Sequence, residues 1–424
     1  MNWPLAPTDS PLGDGLYASA RENPSTLEAL SEVVRARALA GVAIYPQGGA
    51  TSLDYGGIPA RPGVVVDVRG INRVIDYPAG DMTITVEAGM TVQRLTDELA
   101  REGQRLPLDI PFPDRATLGG AFASAACGPR RFGWGRPRDQ ILGIQFVKAD
   151  GQVIHGGGRV VKNVAGYDFP KLLTGSLGSL GILSQMTLRV RPIPESNALA
   201  FASCRNMDDA AEALDRLNLS ETRPVALELL NPTAGSWYQA RNLPVSPDAW
   251  TVVVGFEDNR SAVSWQVDRL KSELGELGSS IEALVDDQAS VAWDALSHFP
   301  VSPPGRLSLK LSVRPSEVAG LFGELDPGLW AMQAHAGNGI VWCHWIGPAD
   351  GNALADVLPE VDRVRSLAVL GGGSLTIPHC PTPWKERLRV WGETRSDWPL
   401  MLKIKETLDP GGVMNPGRFL GTIQ

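Results

Sequence analysis

The chain has 424 residues, of which 43% are hydrophobic and 20% are charged, with 39 Lys and Arg against 47 Asp and Glu. This length exceeds that of one ordinary domain and predicts two, while the net charge of −8 disfavours a nucleic-acid or anionic-membrane binder, which normally presents a basic face. The four cysteines lie far apart and form no CxxC pair, which indicates reduced thiols in a cytoplasmic protein. Since no signal peptide is apparent and no apolar run is long enough to span a bilayer, direct membrane insertion is not expected.

Helices and strands alternate irregularly in the first part of the chain. Ser25 and Glu28 form a capping-box pattern ahead of a helix that ends at Gly41. Thr91 and Thr117 are candidate N-caps of two further helices. The predicted elements are strands 42–46, 64–68 and 83–87, helices 91–101 and 118–126, a hairpin of strands 141–148 and 152–154, and strand 182–190. This irregular mixture favours an α+β fold over a doubly wound sheet.

A repeated pattern begins near residue 198. The first set comprises strand 198–204, helix 207–218, strands 225–230 and 250–256, and helix 260–275. The second set comprises strand 307–313, helix 316–325, strands 329–335 and 340–346, helix 352–366 and strand 373–377. Two similar sets predict a sheet built from a duplicated βαββα unit, which is followed by a C-terminal segment with a helix near 398–408.

The first of three glycine-rich clusters follows predicted strand 42–46. It reads Tyr45-Pro-Gln-Gly-Gly-Ala-Thr-Ser52. Successive amides around paired glycines form a concave anion site, and small residues let a diphosphate approach the backbone. Thr51 and Ser52 add hydroxyl donors. An ordinary strand-ending loop is the alternative interpretation.

Two more clusters follow along the chain. Residues 113–128 contain Thr117-Leu-Gly-Gly120 and a run of Ala and Ser; glycines at a helix N-terminus offer amide donors to phosphate, and the alternative is tight helix–sheet packing. Gly175-Ser-Leu-Gly-Ser-Leu-Gly-Ile-Leu183 joins a helix to a strand, and its alternative is a plain glycine-rich connection. Neither GxGxxG nor GxxxxGK[ST] occurs, which disfavours a Rossmann site and a P-loop.

Taken together and in this order, the clusters and the closing Asn415-Pro-Gly417 resemble the vanillyl-alcohol-oxidase-type, or PCMH-type, FAD-binding flavoproteins. Ala50 stands where these proteins usually have Gly, and Leu177 where an acidic residue is common. The segment Lys162-Asn-Val-Ala-Gly-Tyr-Asp168 and the closing Asn-Pro-Gly make the chain most similar to the glycolate oxidase group, including its FAD-binding subunits, and to the related D-lactate dehydrogenases.

The resemblance implies three parts of the chain and a set of cofactor residues. The parts are a two-subdomain FAD-binding domain over 1–195, a cap domain over 196–380 with a mostly antiparallel sheet covered by helices, and a tail over 381–424 that returns to the FAD domain. Residues 47–52 are implied to hold the pyrophosphate, residues 181–182 to meet the adenosine end, and Asn415 to lie near the flavin ring. The full implied set is Pro46, Gln47, Gly48, Gly49, Ala50, Thr51, Ser52, Pro113, Thr117, Leu118, Gly119, Gly120, Ser124, Gly128, Gly181, Ile182 and Asn415. Because the 47–57 loop has neither His nor Cys, we expect non-covalent FAD.

His335 and His344 are the candidate catalytic bases. The segment between them resembles the H-x-G-D-G-N-x-H segment of catalytic relatives, but Asn338 replaces Asp, Ile340 replaces Asn, and the second His is displaced by two positions. Pro378 stands where metal-using relatives have a Glu, so no metal site is predicted. The alternative interpretation is a pair of polar residues on adjacent strands.

Four arginines fall within nine residues directly after the second cluster, in Arg130-Arg-Phe-Gly-Trp-Gly-Arg136-Pro-Arg138. The functional interpretation is an edge that binds a carboxylate or a partner protein. The alternative is a solvated loop.

The resemblance implies a flavoprotein subunit of a glycolate oxidase or dehydrogenase complex that oxidises a short 2-hydroxy acid, glycolate or D-lactate, by hydride transfer to FAD. It also implies a paralogous flavin subunit as partner and, since the chain has no iron–sulfur motif, a separate iron–sulfur subunit. One alternative, slightly favoured by the altered His segment, is a non-catalytic FAD-binding and assembly subunit that docks those partners. Another is a stand-alone oxidase of a different alcohol or sugar. The expected location is the cytoplasm, with any membrane association made through partners.

Overall fold

The computed structural model describes residues 10–158, 166–302, 305–347 and 353–419. These residues form two compact units. The first unit combines the described parts of 1–126, 136–193 and 393–424, and the second combines those of 127–135 and 194–392. The structure therefore differs from the expected division in assigning 127–135 and 381–392 to the second unit. No helix in the described ranges has the length and apolar character needed to cross a bilayer.

The described residues contain twenty strands and thirteen α-helices. The strands of the first unit are β1 (Pro11–Gly13), β2 (Leu16–Tyr17), β3 (Ala20–Glu22), β4 (Ala43–Gln47), β5 (Gly63–Asp67), β6 (Val74–Asp76), β7 (Thr83–Glu87), β8 (Gln104–Arg105), β9 (Ile141–Val147), β10 (Val153–Gly157), β11 (Ile182–Arg189) and β12 (Arg191–Pro192). The strands of the second unit are β13 (Ser196–Cys204), β14 (Ala226–Leu230), β15 (Trp250–Asp258), β16 (Ser280–Val285), β17 (Ser308–Ser312), β18 (Trp330–His335), β19 (Ile340–Trp345) and β20 (Ser374–His379). The helices are α1 (Leu27–Leu39), α2 (Val92–Ala100), α3 (Leu118–Ala123), α4 (Arg131–Trp134), α5 (Phe169–Leu173), α6 (Met207–Leu219), α7 (Pro232–Gln239), α8 (Arg260–Gly275), α9 (Asp287–His298), α10 (Val318–Glu324), α11 (Ala353–Leu370), α12 (Thr382–Leu388) and α13 (Trp398–Leu408).

The first unit contains a parallel and an antiparallel sheet, so the predicted α+β class is confirmed. The parallel sheet has the order β3-β5-β4, and the antiparallel sheet has the order β10-β9-β11-β7-β6. β5 is buried along its whole length, as expected of an uninterrupted apolar run in a parallel sheet. Helix α1 begins one residue later than the capping-box pattern predicts, because Thr26 rather than Ser25 accepts the bond from the Ala29 amide.

The β4 edge of the parallel sheet receives the C-terminal segment. Ile44 forms a parallel bridge with Met414. The Ile44 amide donates to the Val413 carbonyl, and the Asn415 amide donates to the Ile44 carbonyl, both at 2.8 Å. The segment thus lies beside the strand that leads into the first glycine-rich cluster.

The second unit is one antiparallel sheet of eight strands, in the order β16-β13-β15-β14-β18-β19-β17-β20. Numbered within their own half, β13–β16 lie in the sheet in the order fourth, first, third, second. Strands β17–β20 lie in the reverse order: second, third, first, fourth. The predicted duplication is therefore present, and the two halves meet where β14 pairs with β18. This seam places Glu228 directly opposite His335.

Residues 127–135, which were expected in the first domain, belong to the second unit and are bonded to it by polar contacts. The Gly133 amide donates to the Val225 carbonyl at 3.0 Å. Arg130 pairs with Glu257 at 2.6 Å, and its guanidinium stacks 3.8 Å from the centre of the Trp293 ring. The Glu257 carboxylate is fully buried and also accepts a bond from the Trp134 indole.

The Arg130 pair gives a stability prediction. Arg130→Met removes the cation beside a fully buried carboxylate, so we expect the free energy of unfolding to fall by about 3 kcal/mol, measured by urea denaturation. Arg205→Met, which removes a helix-surface pair with Asp209, is the control and should cost less than about 0.5 kcal/mol. A loss below about 1 kcal/mol for Arg130→Met would contradict a structural role for this pair.

Candidate cofactor site

An open cleft lies in the first unit, beside the end of β4. Its lining is Leu12, Tyr45, Pro46, Gln47, Gly48, Gly49, Ala50, Thr51, Ser52, Leu53, Tyr55, Val68, Thr117, Gly119, Gly120, Ala123, Ser124, Leu177, Gly178, Gly181, Ile182, Leu183, Asn415 and Arg418. The three glycine-rich clusters and the C-terminal segment therefore meet at one place.

Most of the residues predicted to bind the cofactor line this cleft, and three do not. Leu118 is fully buried and packs in the hydrophobic core beneath α3. Pro113 lies in the preceding turn, where its carbonyl accepts a bond from the Gln93 amide. Gly128 belongs to the second unit. For these three, the structure gives no support to the predicted contact.

The loop after β4 offers a row of hydrogen-bond donors. Among the described residues, the backbone amides of 48–52 have no acceptor. Ala50 has a positive φ of 57°, which reverses the direction of the chain inside the loop. The amides and the hydroxyls of Thr51 and Ser52 form a donor set that suits the oxygens of a diphosphate.

Two glycines let this loop lie directly on the turn before α3. A Cβ at Gly48 would lie 2.0 Å from the Thr117 hydroxyl oxygen, and a Cβ at Gly49 would lie 1.8 Å from the Arg115 carbonyl oxygen. Any larger residue at either position would push the loop away. The first two glycine-rich clusters are therefore in contact because these side chains are absent.

The amides of Gly119 and Gly120 already have acceptors within the protein. Gly119 donates to the Ala88 carbonyl at 2.7 Å and Gly120 to the Thr117 hydroxyl at 3.3 Å. These bonds leave the predicted donation to phosphate without support from the structure. A Cβ at Gly120 would meet only the Thr117 hydroxyl within 4 Å, so this position leaves open space in the cleft for a flat ligand.

The third cluster and the C-terminal segment form the opposite part of the lining. Gly178, at a φ of +68°, packs so closely on Pro46 that a Cβ would lie 3.1 Å from that ring. The Asn415 side-chain amide donates to the Leu177 carbonyl. These contacts join the first cluster, the third cluster and the C-terminal segment around one space.

Arg418 is the charged side chain in the lining, among the described residues. Its guanidinium is buried, donates to the Gly57 carbonyl at 2.7 Å and pairs with Asp14. Tyr45 lies nearby and donates to the Arg61 carbonyl, and burial raises the pKa of its phenol to about 12. The lining therefore presents neutral donors and one cation, and it has no carboxylate that would repel a diphosphate.

The two predicted catalytic histidines lie in the second unit. The Nδ1 of His335 is 2.8 Å from the buried Glu228 carboxylate, which can only accept, so Nδ1 carries the proton and Nε2 carries the lone pair. Nε2 is buried and has no partner among the described residues. Gln333 donates to the same carboxylate at 2.7 Å and accepts from the Tyr238 hydroxyl at 2.7 Å. His335 therefore has one buried nitrogen without a partner among the described residues, in a ring of fixed orientation.

His344 is held entirely by internal contacts. Its Nε2 donates to the Phe299 carbonyl at 2.9 Å, and its Nδ1 lies 2.9 Å from the Ser308 hydroxyl. Burial lowers the pKa of His344 to about 3, and the charge of His379 acts in the same direction. With both nitrogens engaged and a strongly depressed pKa, this geometry argues against the predicted role of His344 as a catalytic base.

Other sequence predictions for chemistry have mixed outcomes. Of the four arginines, Arg130 pairs with Glu257 in the second unit and Arg136 pairs with Asp139 in the first. No cluster of three or more His, Cys, Asp or Glu suitable for a metal occurs in the described ranges. Residues 162–165 of the predicted family segment lie outside the described residues.

Sequence reasoning missed several residues of these sites. Arg418 lies in a turn-rich tail, and Leu12 and Tyr55 belong to no motif, so no pattern indicates that they line the cleft. Glu228 had a usable signal, because it is an acidic residue inside the apolar run Ala226–Leu230. A charge in such a strand requires a buried partner.

Two family models match the chain. A model described as FAD binding domain matches residues 18–157. A model described as FAD linked oxidases, C-terminal domain, matches residues 193–301 and 316–419. The first match contains β4 and the first two glycine-rich clusters, and the second contains Asn415 and every strand of the eight-stranded sheet except β17.

Curated relatives resemble the chain over nearly its full length. The D-2-hydroxyglutarate dehydrogenase of Xanthomonas citri pv. viticola is 26% identical over 99% of this chain and 92% of its own. The mitochondrial D-lactate dehydrogenase [cytochrome] of Arabidopsis thaliana is 27% identical over 94% of this chain and 72% of its own length. Glycolate oxidase subunit GlcD of Bacillus subtilis is 25% identical over 89% of this chain and 84% of its own length.

A solved structure of an alkyldihydroxyacetonephosphate synthase shares the fold. It superposes with a TM-score of 0.68 at 16% identity and covers 94% of this chain and 77% of that chain. At this identity the similarity concerns the fold alone.

The buried His344 predicts a specific pH dependence of stability. Its pKa in the folded chain lies below the unfolded value of 6.5. The unfolded chain therefore binds a proton that the folded chain does not, and the stabilisation present above pH 6.5 is lost as the pH falls. At 1.36 kcal/mol per pH unit, this loss amounts to about 2 kcal/mol by pH 5.

Urea unfolding of wild type and His344→Gln at about pH 7 and pH 5 measures this loss. We expect the difference between the two pH values to shrink by about 2 kcal/mol in the variant, whatever its absolute stability. An unchanged difference in His344→Gln would show that His344 is not a buried neutral imidazole.

Proposed function

The chain belongs to the FAD-linked oxidases and is an FAD-dependent oxidoreductase, and from this membership we propose that it oxidises a short 2-hydroxy acid, glycolate or D-lactate. The observation that carries the proposal is the single cleft in which the 48–52 amides, the open position at Gly120 and the segment at Asn415 meet. Three relatives are named for D-2-hydroxyglutarate, D-lactate and glycolate, which share the 2-hydroxy acid group.

We propose that the cleft binds FAD without a covalent link. The donor set of residues 48–52 would hold the diphosphate, and the space at Gly120 would admit the flat ring system. Bound FAD supplies the acceptor for the hydride that leaves the hydroxyl-bearing carbon. Neither His nor Cys lies in the 47–57 loop, so that loop has no residue for a covalent flavin bond.

Removal of the substrate's hydroxyl proton requires a base, and His335 suits this role better than His344. Glu228 fixes the His335 tautomer, so the Nε2 lone pair is free to accept a proton. His344 has no comparable nitrogen.

We further propose that the chain works in the cytoplasm as a flavoprotein subunit beside a paralogous flavin subunit and an iron–sulfur subunit. The Bacillus subtilis relative is itself named as a subunit of glycolate oxidase. A non-catalytic role in FAD binding and assembly is the second candidate. The inward-facing contacts of His344 and the altered 335–344 segment favour that second role.

The cofactor site is tested by filling the cleft. Gly120→Leu adds a side chain where the protein leaves open space, so the fold should persist while bound FAD falls below about one tenth of the wild-type content. Flavin absorbance of the purified protein gives the FAD content. Gly320→Leu, also at an open position on a helix, is the matched control. Normal flavin content in Gly120→Leu would place FAD elsewhere.

The catalytic role is tested by anaerobic mixing of the FAD-loaded chain with glycolate or D-lactate. We expect loss of the flavin absorbance with wild type and a rate at least about 100-fold lower with His335→Gln, because a general base is removed. His298→Gln should react as wild type does. If the flavin of the wild-type chain stays oxidised until partner subunits are added, the assembly role replaces the catalytic one.

A further inference from the structure

One lysine outside the cleft lining joins two of its walls. Lys405, on α13, donates to the Ser179 carbonyl at 2.6 Å, to the Met414 carbonyl at 2.8 Å and to the Asp409 carboxylate. An ammonium group has three protons to donate, and these three acceptors use them all. The Lys405 ammonium is therefore fully committed to holding these segments together.

The two segments held by Lys405 are walls of the cleft. The residues adjacent to its two carbonyl partners, Gly178 and Asn415, both belong to the lining. Lys405 itself is absent from that lining. A second contact crosses the same junction, because the Asn415 side-chain amide donates to the Leu177 carbonyl. The lysine thus lies directly behind the junction of the third cluster and the C-terminal segment.

Asp409 completes this arrangement. Its side chain has no exposed surface and accepts bonds from the Val413 amide at 3.0 Å and the Met414 amide at 2.8 Å. The Lys405 side chain is only 18% exposed. Burial lowers the pKa of the Lys405 ammonium, and its bond with Asp409 opposes that shift. The pair is therefore an internal ion pair that fixes the path of the chain into residues 413–415.

We propose that Lys405 is a positioning residue for FAD, which sets the separation of the 175–181 loop from the 413–415 segment and through it the affinity of the cleft for the cofactor. It acts without contacting FAD, because it lies behind the walls. The inference rests on the proposal that this cleft holds FAD.

The test is the dissociation constant for FAD of apoprotein that carries Lys405→Met and Asp409→Asn together. Changing both residues leaves no uncompensated buried carboxylate, so the fold should persist. We expect FAD binding, followed by quenching of flavin fluorescence, to weaken by about 10-fold or more. Lys403→Met, an exposed position on the same helix, is the matched control and should bind FAD as wild type does.

Two further readouts separate positioning from general stability. The visible circular dichroism of the bound flavin at saturating FAD should change in the double variant, while the thermal midpoint of its apoprotein should remain close to wild type. An unchanged dissociation constant would overturn the proposal. Weaker binding accompanied by an equally weakened apoprotein fold and an unchanged flavin signal would overturn it too.

A measurement on the wild-type chain keeps the proposal falsifiable if the double variant does not fold. Coupling between two sites is reciprocal, so contacts of Lys405 that strengthen FAD binding are themselves strengthened by FAD. Saturating FAD should therefore slow acetylation of Lys405 by about fivefold or more, relative to Lys403 in the same sample. Equal slowing of the two lysines would overturn the positioning role.

The failure of this inference differs from the failure of the cofactor site. If Gly120→Leu still binds FAD, the proposal that this cleft is the FAD site is overturned. FAD binding that is lost in Gly120→Leu but unchanged in the Lys405 and Asp409 double variant overturns only the positioning role.

Discussion

The close approach of residues 48–49 to the turn before α3 is the contact on which the proposed cofactor site depends. Added Cβ atoms would lie 2.0 Å from Thr117 and 1.8 Å from Arg115, so only glycine allows the two segments to touch. This contact places the donor-rich loop beside the open position at Gly120. Without it, the amide donors of residues 48–52 would separate from the open space at Gly120.

The remaining walls are held by polar contacts in addition to apolar packing, in which Val413 and Met414 share a hydrophobic cluster with Ile44. Ile44 exchanges backbone bonds with the C-terminal segment, and Asn415 reaches Leu177 from the same segment. Arg418 then ties the end of the segment to the loop at Gly57. Because hydrogen bonds have directions and fixed lengths, they define the width of a cleft more narrowly than apolar contacts do.

In the second unit, duplication of a strand pattern creates a buried polar seam. The pairing of β14 with β18 brings Glu228 opposite His335. A buried carboxylate is costly unless it is bonded, and here Gln333 and His335 supply the bonds. The same contacts fix the imidazole tautomer. The bonds that offset the cost of burying Glu228 therefore also set the orientation of His335.

Local pattern was enough to predict much of this architecture. The strand Thr83–Glu87 and the helix Trp398–Leu408 appear with the predicted bounds, although the strand is buried along its whole length and not on one side only, as its alternating pattern predicts. The pattern did not predict β16, whose residues are intermediate or exposed and include no fully buried one, or α7, which contains Pro232 and Gly235.

For the candidate site, the sequence predicted which segments come together but not how their individual groups are oriented. Glycine-rich motifs predicted which segments meet, since small residues mark close approach. They did not reveal that Leu118 points into the core or that the Gly119 amide is bonded to Ala88. The direction of each side chain and amide follows from packing between segments far apart in the chain, which one sequence does not show. Arg418 and the Lys405 contacts were missed for the same reason.

Amide hydrogen exchange of the apoprotein with and without FAD tests the central claim most directly. The account predicts that the amides of residues 48–52, which lack protein acceptors in the described structure, exchange at least about tenfold more slowly when FAD is bound. Protection confined to other segments, with the 48–52 amides unchanged at saturating FAD, would contradict the claim that this loop holds the cofactor.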